Sequence, residues 1–305
     1  LWSVDPLGGI VKDDRLYGGG SADMKGSIAA FTYALKRLID LNIELEGNII
    51  VILTSNEEIT GLGTKKVLEK GFYADAAIVG EPSCLEVNIA HKGVARWRLI
   101  TYGKSTHAST PEYGINAIYK MAKAINRLEQ LAERYSHYEK KHPILGYPTL
   151  NVGVIKGGTK DNIVPDFCEI TIDRRLLPGE KSYEVEEEIK AEMTKIQFED
   201  PHFKYDLKMY HSHEAAETSS KHPFVQLAKN TVYDILGKES TVEGFVATTE
   251  MSHLVEAGIP SIILGCGDIK VAHTINEYVP LQQLVDATKI YTIILTRYLR
   301  KNKVI

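Results

Sequence analysis

Cysteine is scarce: the 305 residues carry three, Cys84, Cys168 and Cys266, far apart and with no Cys-x-x-Cys pair. That excludes a disulfide framework and a thiolate zinc site, and it fits a reducing compartment. Long apolar runs are missing as well. The longest, 48–53 and 259–264, fall far short of a bilayer span, and no signal-peptide pattern opens the chain, so no membrane partner is expected and a cytoplasmic location is. Positive charge is not in excess: 36 Lys and Arg against 40 Asp and Glu give a net charge of −4, which leaves no basic field to hold a nucleic acid. There is no internal repeat and no low-complexity linker. What is present, 44% apolar and 25% charged residues, is the composition of a globular protein long enough for one large domain or two ordinary ones. The chain opens at Leu1-Trp2 without an initiator methionine and runs into the turn-rich Asp5-Pro6-Leu7-Gly8-Gly9, so it is expected to be part of a longer protein.

Periodicity divides the chain. Ile28, Phe31, Leu35 and Leu38 recur at helical spacing before Asn42, and 48–54 is a continuous β-branched run of the kind that forms a strand covered on both faces. A second helix at 64–70 stops at Gly71, and 76–79 reads as another buried strand ending in Gly80-Glu81-Pro82. Much later, 259–264 repeats the buried-strand pattern and 281–299 is a long amphipathic helix. The middle has a different texture. Residues 95–102, 150–155 and 169–173 alternate like half-exposed antiparallel strands, helices are expected at 115–134 and 183–196, and a last strand at 203–209 completes a β-α-β-β-α-β order. The expected fold is an α/β domain with a mostly parallel central sheet, from residues 1–91 and 213–305, interrupted by a ferredoxin-like domain at 92–212.

Ligands of open parallel sheets bind beyond the carboxyl ends of the strands. Glu57 and Glu58 follow the run ending near Thr54, Glu81 follows Val79, His273 comes soon after Leu264, and Asp23 precedes the first helix. Carboxylate oxygens and one imidazole on one sheet edge suit Zn²⁺, Co²⁺ or Mn²⁺. In the adjacent pair Glu57-Glu58, one carboxylate can bind a metal while the other takes a proton. Taken singly, each has a plainer explanation: a solvated acidic turn, a helix cap at Asp23, a surface histidine at 273. The joint placement favours the metal site. His211 and His213 share a strand face with no carboxylate motif beside them, and His91 and His253 read as ordinary surface or hinge residues.

Several segments in order, Gly18-Gly19-Gly20-Ser21-Ala22-Asp23-Met24-Lys25-Gly26, Ser55-Asn56-Glu57-Glu58, Gly80-Glu81-Pro82, Ser105-Thr106-His107-Ala108-Ser109, Asp173-Arg174-Arg175-Leu176-Leu177-Pro178-Gly179 and His273, resemble the co-catalytic zinc amidohydrolases. These are the group of acetylornithine deacetylase, succinyl-diaminopimelate desuccinylase, aminoacylase and carboxypeptidase G. The resemblance implies two divalent ions, Zn²⁺ foremost with Co²⁺ or Mn²⁺ as alternatives. Asp23 would bridge them, Glu58 and His273 would complete one, Glu81 would serve the other, and a cis peptide would follow Asp23. It makes Glu57 the general base and acid. It implies that His107 reaches across a homodimer, formed through the inserted lid domain, to steady the oxyanion in the partner's site. Asn162 and Arg175 become substrate contacts, Arg175 being a natural fork for a carboxylate.

The implied reaction is hydrolysis of an N-acyl amino acid, with a di- or tripeptidase sharing every catalytic group as the nearest alternative. A non-catalytic binding protein is the alternative of a different class. Relatives carry a His-x-Asp motif upstream of the Trp-Ser-x-Asp-Pro segment, so the Glu81 side is expected to lack its nitrogen donor within these residues. Relatives also carry a Ser/Thr-Asp turn lining the substrate pocket where this chain has Thr248-Thr249-Glu250-Met251, with a side chain one methylene longer.

Overall fold

The computed structural model of the chain describes residues 2–137, 141–238 and 242–300. They form two compact units, Leu1–His91 with Ala216–Ile305, and Lys92–Ala215. The first segment builds β1 (Ile10–Lys12), β2 (Arg15–Tyr17), α1 (Gly26–Asp40), a one-turn α2 (Glu57–Thr60), α3 (Leu62–Glu69), β3 (Ala77–Val79) and β4 (Asn88–His91). The middle gives β5 (Gly93–Tyr102), α4 (Ala117–Ser136), β6 (Thr149–Gly157), β7 (Phe167–Leu176), α5 (Ser182–Glu199) and β8 (Lys204–His213). The return segment adds β9 (Ala216–Glu217), α6 (Pro223–Leu236), β10 (Glu243–Phe245), α7 (Met251–Glu256), β11 (Ser261–Ile263), β12 (Tyr278–Pro280) and α8 (Leu281–Tyr298).

The middle unit is a four-stranded antiparallel sheet in the order β6-β7-β5-β8, the ferredoxin-like arrangement its β-α-β-β-α-β order calls for. Alternation decides its faces. Ala95, Trp97 and Leu99 of β5 and Cys168, Ile170 and Ile172 of β7 turn inward against Met121 and Leu128 of α4 and Ile189 and Met193 of α5. Arg96, Asp173 and Arg175 lie on the other face, only partly covered. α4 starts cleanly because the Asn116 side chain accepts the backbone N–H groups of Ile118 at 2.9 Å and Tyr119 at 3.2 Å.

In the first unit β11 pairs parallel with β3 and β10 parallel with β4, whereas β4 runs antiparallel to β11 and β9. The described sheet is therefore mixed, and the expected parallel arrangement is found at β3 and β11, the pair that leads into the site. α1 and α8 cover it, with Phe31 and Tyr291 stacked at 3.9 Å and the Tyr291 hydroxyl donating to the Leu264 carbonyl at 2.7 Å. The ends of β3 and β11 approach so closely that a Cβ on Gly265 would stand 2.3 Å from the Gly80 carbonyl oxygen and 2.4 Å from that of Glu81. Only glycine fits there.

Two expectations are corrected. The run 48–54 is not a strand: it has no ladder partner among the described residues, and Ile50 and Leu53 stand 48% and 69% exposed. β-branching reports a liking for the pleated conformation, but a ladder also needs a neighbour, which composition does not supply. His91, read as a surface or hinge residue, is fully buried because β4 is covered along its whole length. The three cysteines are free, as expected, and no helix among the described residues is long and apolar enough to cross a membrane.

Candidate metal centre

Asp23 sits in a tight turn just ahead of α1, and the Asp23–Met24 peptide bond is cis. Glu57 and Glu58 open α2, straight after Asn56, whose φ of 68° turns the chain into the left-handed region. Glu81 follows β3 by two residues, and His273 lies in the loop between β11 and β12 with a φ of 57°. A left-handed backbone at a non-glycine residue is costly and is kept where surroundings and function impose it.

These four segments bring ligand atoms together. His273 Nε2 lies 3.1 Å from Glu58 Oε1 and 3.3 Å from Asp23 Oδ2, and one donor atom from each of Asp23, Glu58 and His273 falls within 4.8 Å of the others. Glu81, which is buried, joins the cluster through a hydrogen bond to Asp23. Two carboxylates can be hydrogen-bonded only if one keeps a proton; Glu81 holds it and donates, its affinity for that proton raised by burial and by the charge of Asp23. Asp23 is raised too, by burial first and by Glu58 second. Burial and the charges of Glu58, Glu250 and Asp23 push Glu57 up to about 7. His273 is also raised, chiefly by its bond to Glu58. Like charges are held close here at a cost in free energy, and a divalent cation would relieve it. One imidazole nitrogen with carboxylate oxygens is a donor set Zn²⁺, Co²⁺ or Mn²⁺ accepts, so the residues fit the ion.

One contributor has no residue-type signature. Glu277, buried beside β12, accepts three backbone N–H groups: Gly20 at 2.8 Å, Ala22 at 2.9 Å and Asp23 at 3.0 Å. This carboxylate fixes the turn that presents Asp23. Its only sequence signal is an acid four residues after His273, just before a strand.

The other predicted site residues belong to the Lys92–Ala215 unit, where His107 and Asn162 are neighbours just before the start of β7 and Arg175 stands near its other end. His107 bridges the strand-like segment at Ile163, and Ala108 N–H donates to the Asn162 carbonyl at 3.0 Å, so His107 and Asn162 are neighbours. The His107 Nδ1 lies 2.7 Å from the Ser109 hydroxyl and accepts the Ser109 N–H at 3.2 Å, an arrangement that places the proton of the neutral ring on Nε2. Arg175 lies at the end of β7 with Nε on Asp173 at 2.9 Å, while Arg96 takes the other Asp173 oxygen at 2.7 Å. Arg174 faces the core instead, bonded to Glu180 at 2.8 Å. His211 stands near Arg96, Asp173 and Arg175, and burial together with the two guanidiniums lowers its proton affinity.

This geometry accords with the comparisons to known proteins. The model of Peptidase family M20/M25/M40 matches residues 1–297. Acetylornithine deacetylase of Myxococcus xanthus is 31% identical over 92% of this chain and 72% of its own length. N-formyl-4-amino-5-aminomethyl-2-methylpyrimidine deformylase of Halalkalibacterium halodurans is 30% identical over 94% of the chain and 73% of that protein. The crystal structure of aminopeptidase PepT from Bacillus cereus superposes with a TM-score of 0.81 at 24% identity, covering 94% of this chain and 75% of that one, which shows a shared fold. The chain is a metallohydrolase of the amide-cleaving type. It belongs to Peptidase family M20/M25/M40.

Proposed function

We propose that this protein hydrolyses the amide bond of an N-acyl amino acid at two divalent ions, Zn²⁺ foremost, to which this chain contributes Asp23, Glu58, His273 and Glu81. The observation that carries the reading is the convergence of an imidazole and three carboxylates from four separate segments, with a fourth carboxylate, Glu57, beside them and titrating near neutrality. Similarity to acetylornithine deacetylase and to a deformylase supports an acyl group removed from nitrogen. When bound, divalent ions would supply Lewis-acid chemistry, polarising a carbonyl and acidifying water. Glu57, beside the cluster, would accept a proton from the attacking water and later give it to the leaving nitrogen. Arg175 holds the substrate's carboxylate, while Asn162, beside His107 at the opposite end of β7, reaches a partner's site together with His107, whose Nε2–H would donate to the developing oxyanion.

Acetyl-, formyl- and succinyl-amino acids, with di- and tripeptides alongside, should be assayed with added Zn²⁺, Co²⁺ and Mn²⁺. Turnover of the acyl amino acids supports the deacylase reading. Turnover confined to peptides would make the protein a di- or tripeptidase, and metal binding without turnover of any of them would leave a binding protein.

Two variants probe the remote residues. Arg175→Met removes charged hydrogen bonds of about 1.5–3 kcal/mol, so KM should rise about 10- to 100-fold for substrates with a free carboxylate and little for their amides. Equal effects on both would remove Arg175 from carboxylate recognition. If His107 acts across a homodimer, a 1:1 mixture of inactive His107→Ala and Glu57→Gln subunits should recover up to about a quarter of the original activity, because half of the dimers carry one intact site of two. No recovery after subunit exchange would place His107 within its own subunit's site.

A further inference from the structure

The turn that carries Glu57 and Glu58 closes through the Gly61 N–H, which donates to the Asn56 carbonyl at 3.1 Å. It is flanked by left-handed residues, Asn56 with a φ of 68° and Gly61 with 62°. Gly61 is also the cap position of α3 and has no side chain to accept that helix's first N–H groups, which need an acceptor. α3 leans directly on the start of the turn: a Cβ on Gly63 would stand 2.5 Å from Thr54 Cβ and 2.8 Å from the Ser55 carbonyl oxygen.

Glu250 ties the segments before and after this turn together. One of its carboxylate oxygens accepts the Thr54 hydroxyl at 3.0 Å, and the other accepts the Thr64 N–H, in the first turn of α3, at 3.4 Å. A single side chain thus grips the chain on both sides of the Glu57-Glu58 turn. Its own base is firm: Glu250 lies between Thr249 and Met251, both buried, and the Thr249 hydroxyl accepts the Met251 N–H at 3.2 Å.

We propose that Glu250 is a positioning residue, a clamp at the base of the metal-site turn that sets where Glu57 and Glu58 stand. The proposal rests on the hydrolytic reading of that turn. It also gives the longer side chain a purpose, since an aspartate at this place would be one methylene short of spanning both partners. The clamp needs shape more than charge. A glutamine can accept the Thr64 N–H through its oxygen and donate to the Thr54 hydroxyl through its nitrogen.

The test is to titrate the metal-free protein with Co²⁺, following the visible absorption of the bound ion, and to measure kcat and KM of the loaded enzyme for Glu250→Ala, Glu250→Gln, Thr54→Val and Thr54→Ser, with melting temperatures as a check on folding. Residues that orient ligands typically change affinity or activity 10- to 100-fold, so Glu250→Ala and Thr54→Val should weaken Co²⁺ binding and lower kcat by about 10-fold or more, with KM within about twofold. Glu250→Gln and Thr54→Ser should stay within about threefold of the original protein, because each keeps the bonds. Wild-type Co²⁺ affinity and kcat in Glu250→Ala would overturn the proposal. So would a change confined to KM for substrates with a cationic side chain, which would make Glu250 a substrate contact, or a Glu250→Gln as impaired as the alanine variant, which would show that charge is what counts. If Glu250→Ala does not fold, the Thr54 pair decides by the same criteria. Failure of the original protein to turn over any amide would strike at the hydrolytic reading alone, since the Co²⁺ titration reports on the clamp without a substrate.

Discussion

Glu57→Gln should bind metal within about threefold of the original affinity while kcat falls about 10²- to 10⁴-fold, the range a positioned proton-transfer group contributes. The amide copies the size of the carboxyl group and its place at the start of α2, so the ligands around it need not move. It cannot take up a proton. Calorimetric metal binding and steady-state kinetics on the same preparation separate the two properties, and a variant with unimpaired turnover would put the base elsewhere. The surroundings of Glu57 add a pH signature. Its carboxyl is raised from about 4.5 to about 7 by burial and by Glu58, Glu250 and Asp23. The folded, metal-free protein therefore binds more protons than the unfolded chain across that window, so its stability is highest at the acid end and declines as pH rises through it. Asp23 and Glu81, both raised, act in the same direction. Melting temperature of the metal-free protein should fall from pH 5 to pH 7, and added Zn²⁺ should restore it increasingly as pH rises, with protons released on binding. A melting temperature that climbs with pH in the absence of metal would contradict this account of the carboxylates.

Much of the fold and part of the site are legible in the sequence. Alternation over 169–173 separates Ile170 and Ile172 from Thr171 and Asp173, and the strand-end rule places Glu81 and His273 because side chains just past the ends of parallel strands emerge on one edge of the sheet. The contacts that escaped are made by groups every residue has. Glu277 acts through backbone N–H donors at Gly20, Ala22 and Asp23, and no side-chain pattern advertises a backbone partner 254 to 257 residues away. Glu250 was visible as a departure from its relatives, but its direction, toward Thr54 and Thr64, depends on how α3 and α7 pack. The exposed 48–54 run marks the opposite failure. Its chemistry was read correctly, and the neighbour that would make it a strand is a property of the rest of the fold.

Asp23→Ala should do more damage than the loss of any other ligand, because Asp23 alone touches both sides of the cluster: His273 at 3.3 Å on one hand and Glu81 through a shared proton on the other. If it bridges two ions, its removal weakens both at once, whereas His273→Ala and Glu81→Ala each weaken one. Lewis-acid stabilisation is worth several kcal/mol, and 1.36 kcal/mol is tenfold in rate, so activity should fall by about 10³-fold or more at ordinary metal concentrations. Metal content per chain, measured by atomic absorption after dialysis, should fall further in Asp23→Ala than in either single-sided variant. A milder lever confirms the geometry. Glu277→Gln turns an amide N–H₂ toward a backbone N–H that now meets a carboxylate oxygen, loosening the turn without touching a ligand, and it should reproduce the Asp23→Ala loss in part, by about 10- to 100-fold in metal affinity. Should Asp23→Ala retain one ion at full affinity, Asp23 would belong to one metal only, and Glu81 would have to find its partner without it.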